Sequence, residues 1–128
     1  MEKEFVPYEQ ALALKELGFD EDCFGFYFKE NEDDTYQLIL NGKTGAFFGY
    51  QFKAPLYQQA FRWLLKEHNL YAVIIPTVTM YWTFKTMTVV EGMIEVPPYN
   101  HVHATDYETR EEAELECLKT LIEKVKKV

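Results

Sequence analysis

The 128-residue sequence contains no serine. Catalysis by an activated serine hydroxyl is therefore excluded. Cysteine is scarce, with Cys23 and Cys117 the only two. Neither a multi-disulfide framework nor a zinc-binding cysteine cluster can be built from them, and the chain opens without a leader-like apolar segment. Two reduced structural thiols and a cytoplasmic location are expected. No apolar run approaches the roughly 20 residues needed to cross a bilayer, so no membrane association is expected.

Basic charge is also short. Thirteen Lys and Arg stand against 21 Asp and Glu, leaving a net charge of −8. A duplex nucleic acid or an anionic membrane would meet repulsion over most of such a chain. The only basic cluster, Lys124, Lys126 and Lys127, sits where it complements the C-terminal dipole of a helix. The imbalance is concentrated in residues 1–50, which carry eleven acids and four bases.

What the chain does hold is apolar and aromatic. Hydrophobic residues make up 48%, including ten Phe, nine Tyr and two Trp. That is ample for one core, and a chain this long buries roughly two-thirds of its unfolded surface on folding. A single domain over residues 1–128 is expected.

Local patterns supply the elements. Pro7 introduces a helical repeat of Ala11, Leu14 and Leu17, and Gly18 with Phe19 predicts its left-handed end. Residues 24–28 alternate as a strand with Phe24, Phe26 and Phe28 on one face, followed by an acidic loop over 30–34. Residues 36–40 read as a second strand, and Asn41-Gly42 predicts a tight hairpin into a third over 43–50. A proline-started helix is expected over 55–69, ending at Asn69, then a β-branched strand over 71–75 stopped by Pro76. Alternation over 78–89 predicts one long strand or two, with a loop over 91–100. Thr109 and Glu112 form a capping box for a helix over 110–127, whose rows Ala113/Cys117/Leu121 and Leu118/Ile122/Val125 are apolar. The fold class is α+β: a mainly antiparallel sheet with two or three helices packed on one face.

Three blocks, residues 5–20 (FVPYEQALALKELGFD), 54–68 (APLYQQAFRWLLKEH) and 107–126, resemble a family of small proteins of gut Bacteroidales and their phages and prophages. The resemblance implies origin rather than chemistry. The family brings no established substrate, cofactor or functional residue to carry over.

Candidate chemistry is thin. His101, His103 and Asp106 have a spacing that can converge on a metal or a small ligand, but without a specific signature. His68 suits a helix C-terminus. The carboxylates of Glu30, Glu32, Asp33 and Asp34 do not follow calcium-loop spacing, and Gly42-Lys43-Thr44 lacks the glycine-rich span of a phosphate loop. The aromatic surplus says more: helices cover one side of the sheet, while rings occur on both alternating faces of the strands. The expected function is a noncatalytic protein-binding or self-associating accessory protein without cofactor, as a homodimer or with a protein partner. Tyr27 and Tyr81 are its contact candidates. The alternative is a small-ligand or metal-dependent enzyme around His101, His103 and Asp106.

Overall fold

A computed structural model describes residues 2–40, 49–90, 93–95 and 106–126. The fold is α+β, with two antiparallel sheets and three helices. The chain divides into two compact units, Met1–Ala60 and Phe61–Val128.

In the first unit a 3₁₀ turn over Glu2–Glu4 precedes α1, Tyr8–Glu16. Its end follows from Gly18, which takes φ +110. That turn lets Phe19 N–H reach the Leu14 carbonyl at 2.9 Å and Gly18 N–H reach Lys15 at 3.0 Å. Two orphan carbonyls are thereby satisfied, and both Phe19 and Leu14 are buried at this helix end.

Strands β1 (Gly25–Lys29), β2 (Gln37–Leu40) and β3 (Tyr50–Ala54) form the first sheet in the order β2-β1-β3. Both neighbours run antiparallel to β1, so β3 adds beside β1 and not beside β2. The predicted Asn41-Gly42 turn and most of the strand expected over 43–50 lie outside the described residues. Gly49 precedes β3 with φ +135, and a Cβ there would sit 2.6 Å from the Lys29 carbonyl oxygen. α1 packs on β3.

α2 runs from Tyr57 to His68, and the division between the units falls inside it. It starts later than Pro55 promised. Pro55 is fully buried and its carbonyl accepts the Val6 N–H at 2.9 Å, while Leu56 bridges Phe5 and its own carbonyl takes the first helical bond from Ala60. Tertiary pairing claims the proline before the helix can use it. The other end matches expectation: Asn69, at φ 57, donates back to the Leu65 carbonyl.

The second unit holds β4 (Leu70–Pro76), β5 (Trp82–Val90) and β6 (Met93–Glu95), ordered β4-β5-β6. β6 occupies part of what reads in the sequence as loop, and the alternation from Val78 begins as a strand only at Trp82. Antiparallel neighbours alternate between hydrogen-bonded and open pairs. Here the phase is fixed at both ends, because Val89 N–H donates to Asn69 at 2.8 Å and Thr77 N–H donates to Tyr81 at 2.7 Å. Tyr71, Val73 and Ile75 therefore aim their amides at β5, opposite Met87, Lys85 and Thr83. The amides of Leu70, Ala72 and Ile74 aim away, and the same outward phase falls on Pro76, where the missing N–H takes nothing from the ladder. Trp82 confirms the phase on the far side, exchanging bonds of 2.8 and 2.7 Å with Tyr107.

α3, Arg110–Lys126, packs on β4 and β5. Thr109 Oγ1 accepts the Glu112 amide at 3.1 Å, the cap that the sequence predicted. Ala113, Cys117, Leu118, Leu121 and Ile122 are buried, as are Leu64, Leu70 and Phe84. Lys124 crosses to the sheet and donates to Thr86 at 2.6 Å.

Leu118 has no exposed surface, so Leu118→Ala should lower the unfolding free energy by about 2–4 kcal/mol in a denaturant melt. The two glycines should separate. Gly18→Ala adds a methyl to open space at an unfavourable φ and should cost about 1 kcal/mol, whereas Gly49→Ala adds the clash with a backbone oxygen and should cost clearly more. Equal losses in parallel urea melts would contradict that difference.

Candidate functional site

Rings dominate one face of the first sheet. Tyr27 and Phe52 are register partners with centroids 5.7 Å apart. Tyr36 stands edge-on to Phe52 at 4.8 Å, and Tyr8 touches both Tyr27 and Tyr36. The Tyr27 hydroxyl donates to the Val6 carbonyl at 2.5 Å. Val6 thus has its N–H on Pro55 and its carbonyl on Tyr27, which ties the N-terminal segment across the face. Tyr27 is buried, so its proposal as an exposed contact is corrected: the hydroxyl that suggested a wet rim instead pairs an interior carbonyl.

The exposed margin of this face is amphipathic. Lys29 Nζ lies 4.7 Å from the Tyr36 ring centre and 5.3 Å from that of Tyr50. The same ammonium donates to the Glu32 carbonyl at 2.9 Å, and Asp34 accepts the Asn31 amide at 3.0 Å. The acidic segment is hence a self-braced turn. It borders an open depression of about 400 Å³ lined by Phe28, Lys29, Glu30, Asp34, Thr35 and Gln37.

In the second unit, residues 77–81 join β4 to β5. Thr77 organises them: its carbonyl accepts Met80 N–H at 3.2 Å, its Oγ1 accepts Tyr81 N–H at 3.1 Å, and it contacts the Thr79 hydroxyl at 3.0 Å. Met80 adopts φ 67, a left-handed conformation unfavourable for a side chain of this size. The result projects apolar groups into water. Val78 is 102% exposed and Met80 89%, with Tyr81 beside them at 43%. Tyr81 is exposed at the base of this tip, one residue ahead of β5 and not on the strand face that its alternation with Val78 and Met80 suggests.

Burial disfavours the thiolate at both cysteines. Cys23 is half-buried and donates to the Glu21 carbonyl, and desolvation pushes its pKa up to about 11 against the opposing pull of Lys53. Glu21 and Asp22 push the same way as burial. Cys117, fully buried on α3, is pushed up to about 12 by desolvation, with Lys124 opposing. Both are free thiols held protonated at neutral pH.

His101 and His103 lie outside the described residues, as does Gly42-Lys43-Thr44. Asp106 is exposed, and His68 is the last residue of α2, edge-on to Trp63 at 5.1 Å. Among the described residues no three His, Cys, Asp or Glu side chains gather as metal ligands, and no helix is long and apolar enough to cross a membrane. Compared with family models, curated proteins and solved structures, the chain matches none.

Raised thiol pKa values set a pH dependence. The folded state keeps protons that the unfolded state releases near pH 9, so stability should fall as pH rises from about 9 toward 11. Urea midpoints should show a shallower fall over that window in a Cys23→Ala/Cys117→Ala variant, and native Cys117 should resist alkylation at pH 7 until the protein unfolds. An unchanged pH slope would contradict the assignment.

Proposed function

We propose that the protein is a noncatalytic protein-binding or self-associating module, with the β4–β5 tip as a contact element. The tip carries the reading. Val78 and Met80 stand exposed on a loop whose backbone is braced by Thr77, a costly display for side chains that water disfavours. Burying both contributes about 3–6 kcal/mol at 1.5–3 kcal/mol each. That offsets only part of the estimated 4–15 kcal/mol cost of association, so neighbouring groups such as exposed Tyr81 and Tyr71 must join the contact. Burial holds both thiols protonated at neutral pH, which disfavours them as nucleophiles. The reading includes a cytoplasmic setting, supported by two free thiols, and a phage or prophage accessory role, supported by the resemblance of the three sequence blocks.

Replacing Val78 and Met80 with Asp removes the apolar tip at positions that bear little on stability, where changes should stay within about 0.5 kcal/mol. A partner retained through the tip at stoichiometric yield on the immobilised protein should bind at least tenfold more weakly in the variant. A parent that retains no partner and forms no homo-oligomer in light scattering, or a variant that retains the partner unchanged, overturns the tip as a contact element.

A further inference from the structure

The tip is one end of a longer recognition feature. Among the described residues β4 lies at an edge of its sheet, and its sequence, LYAVIIP, contains no charge. Natural edge strands are commonly blunted by lysine, by bulges or by brevity, because their free amides invite another strand. β4 has seven residues and an unbroken register with β5 from Leu70 to Pro76. The phase of that ladder turns the N–H and C=O groups of Leu70, Ala72 and Ile74 outward, and among the described residues no hydrogen bond reaches those amides. Flanking side chains are only partly covered: Ala72, Val73, Ile74 and Ile75 are half-buried and Tyr71 is exposed.

We infer that β4 pairs with β4 of a second copy of this chain, antiparallel across a two-fold axis at Ala72. This rests on the protein-binding reading and names its partner. Two observations fit a second copy. The outward set is symmetric about Ala72, so Leu70 falls opposite Ile74 of the second copy, Ala72 opposite Ala72, and Ile74 opposite Leu70. In an antiparallel ladder each such pair exchanges two bonds, so every outward donor and acceptor of these residues is satisfied. Pro76 falls beyond the paired stretch in this register and withholds no bond, whereas an axis at Ile74 would set it opposite an amide. The net charge of −8 opposes the meeting of two copies, but the uncharged edge keeps carboxylates out of the ladder itself. On the face that carries exposed Tyr71, this residue of each copy falls opposite Val73 of the other, next to the axis. Two short edges bury less than the about 1,200 Å² of a standard stable interface, so the dimer is concentration-dependent and weak.

Sedimentation velocity on the full chain, from about 1 to 300 µM, should show a reversible monomer–dimer equilibrium. Hydrogen exchange read residue by residue should show the amides of Leu70, Ala72 and Ile74 gaining protection with concentration, while those of Tyr71, Val73 and Ile75 stay protected throughout. Ala72→Pro removes an outward donor without touching the β5 ladder, and Tyr71→Glu sets two carboxylates beside the axis on an exposed surface. Each variant, its fold checked by circular dichroism, should raise the dimer dissociation constant at least tenfold. A parent that stays monomeric at the highest concentration overturns the dimer while leaving the tip free to bind a foreign partner. A dimer that persists in Tyr71→Glu, with unchanged exchange at Leu70, Ala72 and Ile74, overturns the β4 interface and leaves self-association through another surface.

Discussion

The two-residue alternation of the β4–β5 ladder governs most of what the second unit presents. A strand has two faces and two edges, and fixing one hydrogen-bonded pair fixes all four. Asn69 and Val89 do this at the helix end, and Thr77 and Tyr81 do it at the tip. Leu70 and Phe84 are then carried to the buried side with Thr86, which receives Lys124 from α3. Tyr71 and Lys85 are carried to the opposite face. A slip by one residue would exchange these sets, setting Tyr71 and Lys85 among the groups now facing α3.

In the first unit the corresponding constraint is polar. Val6 has no helical or sheet ladder to satisfy its backbone, yet both its groups are buried and both are paired, to Pro55 and to Tyr27. An unmet group there would forfeit about 1–3 kcal/mol. This explains why a tyrosine rather than a phenylalanine stands in the middle of β1, and why Pro55 lies ahead of α2 instead of in its first turn.

Features set by a few adjacent residues were legible in the sequence. Gly18 with Phe19, Asn69, and Thr109 with Glu112 each declare a helix end through local chemistry, and the structure places those ends within a residue or two. Pairing was not legible. The local signal, Asn41-Gly42, pairs residues 36–40 with the segment that follows and says nothing of β3 joining β1, since that choice depends on which faces meet in three dimensions. The tip was missed for a related reason. Val78, Met80 and Trp82 continue a period of two straight through it, and the left-handed Met80 has no glycine or asparagine to betray it. The available signal was Thr77 after Pro76, a hydroxyl placed to bond the amide four residues on. The Tyr27 hydroxyl reads in the sequence as a mark of solvent, and in the structure it serves an interior acceptor.

Pro76 also bears on aggregation. Uncharged β-branched segments such as residues 70–75 are the material from which cross-β stacks grow, each strand templating the next through a continuous row of donors. In β4 that row ends at a ring that offers an acceptor and no donor, immediately before a turn whose left-handed residue cannot extend the strand. Growth of a flat ladder beyond six residues is thereby stopped by covalent structure rather than by charge. The edge stays open to a short strand and closed to a long one.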